Sequence, residues 1–208
     1  SLIPNDPGFP ELWGIHNTGQ LGGTPDMDMD GPEAWEISTG DGSVFVVIID
    51  NGVGGNDSAI NQEGGTDLTS DGPGDGGPMN QFDNHGTAVA GCVSAVIDNG
   101  IGTVGIAPNV HIASARTMIT TDSQGHWSSM ASWTVDALSW AESIGARLIN
   151  NSNAYGSPSS AIASKYEQTR NDGMIHFACA GNDGASSLSY PASLASVNAV
   201  AAVDQNGR

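Results

Sequence analysis

The sequence predicts an α/β fold: a doubly wound, mostly parallel sheet with helices on both faces. Apolar segments typical of buried strands alternate along the chain with segments of helical periodicity, as they do in such sheets. The first of these strands, Val44–Ile49, is continuously apolar and rich in β-branched residues. That pattern is typical of a parallel strand buried on both faces rather than of a half-exposed antiparallel one.

Four helices are predicted between and before the strands. Small residues dominate the second, which indicates close packing on the sheet, and the third has apolar residues at helical spacing. Ser128 or Ser129 can cap the start of the third helix, and Gly145 ends it. The predicted helices are Pro32–Ile37, Gly86–Ala95, Ser128–Gly145 and Ala161–Asn171.

Four further strands follow Val44–Ile49. They are short apolar runs bounded by turn residues, which favours strands over helices. The predicted strands are Val110–Thr117, Arg147–Asn150, Met174–Ala180 and Val197–Val203. Residues 51–84 form a connection rich in Gly and Asp in which we predict no regular element. A connection of that length indicates a functional or mobile loop.

Composition limits the classes of function. Five Lys and Arg against 23 Asp and Glu give a net charge of −18, which argues against nucleic acid or an anionic membrane surface as partner. The charge fits cation binding, a saline environment or basic substrates, but a solvated acidic surface is the preferred explanation. No apolar run approaches the roughly 18 residues of a membrane span.

Two cysteines, Cys92 and Cys179, are too few for a disulfide framework. Both stand among apolar or small residues, which predicts two buried thiols, and a single bridge between them stays open. The 208 residues suit one domain, or one large piece of a domain.

Three polar residues stand where a parallel sheet places its site, beyond the carboxyl ends of the strands. Asp50 directly follows Val44–Ile49 and is predicted to be half-buried, although Asp-Asn-Gly is also ordinary turn chemistry. His85 begins a helix, where the positive end of the helix dipole disfavours its charged form and suits a general base. Asn182 follows another strand and can donate to an oxyanion, or simply belong to an Asn-Asp-Gly turn.

The strings around these residues resemble the subtilisin-like serine protease family. They include I-I-D-N-G at 48–52, N-H-G-T-A-V-A-G at 84–91, G-I-A-P at 105–108, L-I-N-N-S at 148–152, A-G-N at 180–182 and S-Y-P-A at 189–192. The opening P-N-D-P-G-F-P-E-L-W-G-I-H-N-T-G-Q is similar to the mature starts of calcium-dependent bacterial subtilases and proprotein convertases. Order and spacing agree over nearly the whole chain.

The resemblance implies catalytic roles. Asp50 would orient the imidazole, His85 would act as general base and acid, and Asn182 would donate to the oxyanion of a secreted endopeptidase. A peptide substrate would add as a strand between two edge segments. The implied substrate-binding residues are Ser123, Gln124, Gly125, His126, Trp127, Ser152, Asn153, Ala154, Tyr155, Cys179, Ala180 and Gly181. An inhibitory propeptide is a further implied partner.

The resemblance also implies a Ca²⁺ site made of hard oxygen ligands. The predicted ligands are Asp6, Asp57, Ile97, Asn99, Ile101 and Thr103, of which Asp57 is shifted from the usual family position. The acidic loop 67–83 is a second, weaker candidate for holding an ion.

Two features depart from the family pattern. Asn51 stands where Ser or Thr usually follows the catalytic Asp, and the Gly-Thr-Ser-Met-Ala string that carries the nucleophile is absent from the 208 residues. The sequence therefore predicts a sheet incomplete at its carboxyl end, an inactive chain by itself, and a complementary carboxyl-terminal segment or chain that supplies the Ser. A nick, a truncation and an inactive homologue that binds peptides are the three open explanations.

Overall fold

The computed structural model describes residues 2–54, 59–69, 71–72 and 74–208. Within these ranges the main sheet has six strands in the order β2-β3-β1-β6-β7-β8, and every neighbouring pair is parallel. A separate antiparallel pair consists of β4 and β5. The strands are β1 (Phe45–Asp50), β2 (Gln62–Asp67), β3 (His111–Arg116), β4 (Ile119–Thr120), β5 (Trp127–Ser128), β6 (Leu148–Asn151), β7 (Ile175–Cys179) and β8 (Asn198–Val200).

Four α-helices accompany the sheet in the described ranges, and the fold class predicted from the sequence is confirmed. The helices are α1 (Gly31–Ile37), α2 (His85–Ser94), α3 (Ala131–Ser143) and α4 (Ser160–Asn171). None of these helices is both long and apolar enough to cross a membrane. Short 3-10 turns at Phe9–Glu11 and Gln20–Gly22 lie in the amino-terminal segment.

Strand β1 lies between two hydrophobic layers. Val47 and Ile49 belong to the cluster that packs under α3 and α4, whereas Val46 and Ile48 belong to the cluster that includes Ala90 of α2. Because successive side chains of a strand point to opposite faces, a continuously apolar strand needs cover on both sides. Each fully buried Val or Ile contributes roughly 1.5–3 kcal/mol, so the centre of the sheet is the most strongly stabilised part.

Strand β2 corrects the prediction that residues 51–84 contain no regular element. It is polar, with the sequence Q-E-G-G-T-D, and it lies at the edge of the sheet with only β3 beside it. Its backbone hydrogen bonds to β3 need no apolar side chains, so hydrophobic patterning gave no signal. A Cβ atom at Gly65 would overlap the carbonyl oxygen of Asp75, so glycine lets the following loop pack against this strand.

The start of α3 differs from the prediction that Ser128 or Ser129 caps it. Ser128 lies in β5, and the Ser129 hydroxyl donates a hydrogen bond to the Thr117 carbonyl oxygen. The helix begins at Ala131 without a side-chain cap, because both serines are engaged in the hairpin that precedes it.

The prediction of two buried thiols is wrong for Cys92. Cys92 is exposed and Cys179 is half-buried, and both are free. Cys92 lies one helical turn after the exposed Ala88, on a face of α2 that points away from the sheet, whereas Ala90 packs on the sheet. Small residues surround the thiol in sequence, but helix geometry places it on the outer face.

The buried His176 of β7 should make the free energy of unfolding depend on pH in the acid range. Its side chain is fully buried, its ring lies edge-on to Tyr166, and its Nε2 atom is 3.0 Å from the Thr169 hydroxyl oxygen. Burial lowers the pKa of His176 from 6.5 to about 4, and the positive charge of Arg170 adds to this effect. As the pH falls from 6.5 towards 4, the unfolded chain therefore takes up a proton that the folded protein does not.

We expect this imidazole to remove about 3 kcal/mol of the free energy of unfolding between pH 6.5 and pH 4. Urea unfolding at several pH values in this window measures the loss. Carboxylates titrate in the same window, so the test is the difference between the protein and its non-titrating variant His176→Gln. Identical pH dependence in the two proteins would contradict the assignment.

Candidate active site

Asp50 is the last residue of β1, and its carboxylate has no exposure to solvent. The prediction of a half-buried group is therefore wrong: the strands on both sides of β1 and the start of α2 cover it. The Asn51 backbone N–H donates to Oδ1 of Asp50 over 2.8 Å. A buried carboxylate needs such partners, because an unpaired charge away from water is very costly.

His85 is the first residue of α2 and supplies the other partner. Its Nδ1 atom lies 2.9 Å from Oδ1 and 2.8 Å from Oδ2 of Asp50. Since an ionised carboxylate only accepts hydrogen bonds, Nδ1 carries the proton and Nε2 is left as an acceptor. The hydrogen bond to Asp50 raises the pKa of His85 against the opposing effect of partial burial, and the carboxylate charge adds to the rise.

Asn51 joins the end of β1 to the start of α2. Its buried side-chain Oδ1 accepts from the Gly86 backbone N–H over 2.8 Å, and Nδ2 donates to the Thr120 hydroxyl over 2.9 Å. A Cβ atom at Gly86 would overlap the carbonyl oxygen of Gly52, so only glycine allows this approach. The Asn51 carboxamide thus links the first turn of α2 to Thr120 of β4.

Asn182 and His85 line the same open cleft, which has a volume of about 440 Å³. Asn182 follows β7 in an exposed turn, at the same carboxyl edge of the sheet as Asp50. The parallel topology accounts for this meeting, because the carboxyl ends of the six described strands of the main sheet point to one side. The structure therefore brings the three predicted catalytic residues to one edge.

The predicted substrate-binding residues divide into two sets. Those that line the cleft are Gly125, Trp127, Ser152, Asn153, Ala154, Cys179 and Gly181. The others lie beside it: Ser123, Gln124 and His126 are exposed in the turn between β4 and β5. Ala180 lines a neighbouring pocket, and Tyr155 lines a pocket of about 210 Å³ together with Trp127.

Two of these residues direct their polar groups into the protein. Asn153 is 6% exposed, and its Nδ2 donates to the Ile49 carbonyl oxygen over 2.8 Å and to Asn151 Oδ1 over 3.1 Å. The Tyr155 hydroxyl bonds with Thr134 and Asn151, and burial raises its pKa. The edge segment at 152–155 is therefore anchored to the strand that carries Asp50.

Sequence reasoning did not name seven residues of the cleft lining as site residues: Asn51, Phe82, Asn84, Met118, Thr120, Asp183 and Ser189. Met118 and Thr120 come just after β3, so the rule that sites lie beyond the carboxyl ends of strands could have indicated them. Phe82 lies in a connection that no sequence pattern marks, whereas Ser189 begins the S-Y-P-A string at 189–192.

Asp6, a predicted Ca²⁺ ligand, lies against the predicted calcium loop. It is 2% exposed, and its carboxylate accepts hydrogen bonds from the backbone N–H groups of Asp98, Asn99 and Gly100, over 2.9, 3.2 and 3.2 Å. A carboxylate has roughly four acceptor positions, so these three bonds leave about one of them open for a further partner. The hard oxygen chemistry at this place fits calcium.

The remaining predicted ligands lie in the same loop, except one. Ile97, Asn99, Ile101 and Thr103 fall within one turn-rich segment, in which Asn99 Oδ1 accepts from the Ile101 backbone N–H over 2.8 Å. Asp57 lies outside the described residues. In the described ranges, the loop beside Asp6 included, no group of three or more His, Cys, Asp or Glu side chains is placed to hold a metal ion.

The chain is similar both to a protein family as a whole and to individual proteins. The model of the Subtilase family matches residues 41–208. Subtilisin BL from Lederbergia lenta is 36% identical over 169 residues, which are 81% of this chain and 58% of the relative. Thermitase from Thermoactinomyces vulgaris is 32% identical over 205 residues, 98% of this chain and 66% of the relative.

A solved protease structure from Pseudoalteromonas arctica PAMC 21717 matches with a TM-score of 0.77 at 27% identity, covering 99% of this chain and 67% of that one. The chain thus spans less than two thirds of the length of the two named relatives. The family match includes Asp50, His85 and Asn182. This chain belongs to the Subtilase family of subtilisin-like serine proteases.

Proposed function

We propose that the protein containing this chain is a secreted, extracellular serine endopeptidase. The observation that carries the proposal is the double contact of His85 Nδ1 with the buried Asp50 carboxylate, beside a cleft that Asn182 also lines. The nucleophile would be a Ser of a carboxyl-terminal segment or chain outside these 208 residues. The family match and the names of the relatives support peptide-bond hydrolysis.

The chemistry follows from the positions of the protons. Nε2 of His85 takes the proton of the serine hydroxyl as the oxygen attacks the peptide carbonyl carbon. Asp50 stabilises the imidazolium that forms, and the Asn182 side-chain amide donates to the developing oxyanion. The imidazolium then gives its proton to the leaving amine, which leaves an acyl group on the serine. In the second half of the reaction His85 takes a proton from water as the water attacks the acyl carbon, and it returns this proton to the serine oxygen as the acid leaves.

Peptide and protein substrates would add as a strand between the segments 123–127 and 152–155. Ser152, Ala154, Cys179 and Gly181 are small, so the cleft has room for a sizeable side chain of the substrate. An inhibitory propeptide would occupy the same groove before activation.

His85 provides the first test of the proposal. In the full-length protein we expect His85→Ala to lower kcat by roughly 10⁶-fold, a magnitude measured on subtilisin itself, because the serine loses the imidazole that accepts its proton. The matched control is His111→Gln at the opposite, amino-terminal end of β3, which should keep normal turnover of a peptide substrate.

The same preparation separates the enzyme from a peptide-binding homologue. A phosphonofluoridate should label the serine of the unmodified protein and should label His85→Ala far more slowly. If the folded full-length protein binds peptides but neither hydrolyses them nor reacts with the reagent, the endopeptidase proposal is wrong and the inactive homologue is supported.

Asn182 provides a second test. Truncation to Ala removes the amide donor, so we expect kcat to fall about 100- to 1,000-fold with a small change in KM, the range measured for this position in subtilisin. Asn171→Ala at the end of α4 is the control. A change in KM alone would assign Asn182 to substrate binding instead.

We further propose a structural Ca²⁺ ion at the loop 97–103. Asp6, the Asn99 side-chain oxygen and the carbonyl oxygens of Ile97, Ile101 and Thr103 would hold it. The hydrogen bonds that already join Asp6 to this loop support the site. The ion would tie the amino-terminal segment to the end of α2 and take no part in peptide hydrolysis.

Calcium removal tests this site. A ligand that binds only the folded state stabilises it by about 2.7 kcal/mol at 100 times its Kd, so EGTA should lower the midpoint of thermal unfolding. Asp6→Asn should reduce the calcium-dependent part of that shift, whereas the exposed Asp41→Asn should not. A midpoint independent of calcium in the unmodified protein would rule the site out.

A further inference from the structure

We propose that Arg116 is a positioning residue that holds the chain segment entering His85 against the end of the strand that carries Asp50. Arg116 touches neither reacting group, and its effect on catalysis would pass through Asp83 and the backbone of Asn51. The inference rests on the proposed peptidase function, because it assigns a role within that active site.

The position of Arg116 makes such a role possible. It is the last residue of β3, where it pairs with Asp50 of β1 on one side and with Asp67 of β2 on the other. Its side chain has no exposure to solvent. A fully buried guanidinium is uncommon, and it needs carboxylate partners and satisfied hydrogen-bond donors.

The guanidinium is bonded on all of its sides. Nε donates to the Asn51 carbonyl oxygen over 3.2 Å, and one terminal nitrogen donates to Asp83 over 3.0 Å. The other terminal nitrogen donates to Asp67 over 2.9 Å, to the Thr69 hydroxyl, and to Asp71. The acidic loop predicted as a possible ion site thus places three of its carboxylates around this arginine.

Asp83 carries the connection to His85, which is two residues further along the chain. Its Oδ1 accepts from the Thr120 backbone N–H over 3.0 Å. Its Oδ2, which receives the Arg116 bond, also accepts from the Met79 backbone N–H over 3.1 Å and from Asn80 Nδ2 over 3.2 Å. Asp83 itself is 3% exposed, and its bonds tie the more exposed turn before α2 to Arg116 and to the backbone of Thr120.

One planar group therefore contacts both sides of the catalytic pair. On one side it binds the carbonyl of the residue that follows Asp50, and on the other it binds the carboxylate two residues before His85. Because the guanidinium donors form a fixed fork, the distance between these two backbone segments depends on its geometry. A lysine can supply the charge but cannot make the same set of bonds.

A purely structural role would also explain a buried ion-paired network, so the test must separate position from stability. Asp67 offers the comparison. Its side chain is 1% exposed, it binds the same guanidinium, and its segment leads away from β2 rather than into His85. Asp67→Asn and Asp83→Asn remove matched buried carboxylates, but only the second loosens the approach to the imidazole.

In the full-length protein, kcat and KM for a peptide substrate are measured at a temperature at which thermal unfolding shows every variant folded. We expect Asp83→Asn to lower kcat about 10- to 100-fold with KM little changed, and Asp67→Asn to lower kcat much less. Equal kcat values for the two variants, or a kcat for Asp83→Asn like that of the unmodified protein, would overturn the inference.

Arg116→Lys is a second test of the same inference. It keeps the positive charge among the buried carboxylates, so it can be used even if Asp83→Asn does not fold. NMR titration of the His85 imidazole should give a lower pKa in this variant than in the unmodified protein, because its hydrogen bond with Asp50 becomes less well aligned. The exposed Arg170→Lys is the control. An unchanged His85 pKa together with unchanged kcat would leave Arg116 a structural role only. An unmodified protein without peptidase activity would instead refute the proposed function.

Discussion

The carboxylate of Asp50 is buried without solvent contact, and much of the surrounding structure supplies what this burial requires. The Asn51 backbone N–H and the His85 imidazole provide its hydrogen bonds, and both come from elements that begin or end within a few ångströms of it. A charge in this environment strengthens its interaction with the imidazole, because no water competes for it. The hydrogen bond from Nδ1 to this carboxylate fixes the tautomer that leaves Nε2 as the acceptor.

Polar side chains at the carboxyl edge of the sheet form a nearly continuous hydrogen-bonded layer beneath the cleft. Asn51 joins β1 to α2, Asn153 joins the segment at 152–155 to β1, and Arg116 joins β3 to the loop before His85. Buried polar networks stabilise one arrangement strongly only when nearly every member is satisfied. The cleft thus lies on a layer whose geometry is set by hydrogen bonds rather than by apolar packing.

Apolar packing stabilises the middle of the sheet, whereas hydrogen bonds position the residues at its carboxyl edge, and this difference has a physical reason. The middle of β1 is covered by apolar side chains on both faces, which stabilises the sheet without specifying any direction for a polar group. Hydrogen bonds are directional, so the residues that must meet at defined angles come after the last apolar residue of each strand. Asp50, Arg116 and Asn151 all stand at such strand ends.

The sequence by itself determined the fold class, five of the six main strands described and the three residues brought to one edge, because apolar periodicity and short local motifs are properties of neighbouring residues. It did not reveal β2, whose pairing with β3 depends on the backbone alone, nor the exposure of Cys92, which depends on helix orientation. The tertiary structure alone decided that three acidic residues, which precede Arg116 by 49, 45 and 33 positions in the chain, would surround it. Long-range electrostatic pairing has no local signature, since its partners are brought together only when the sheet forms.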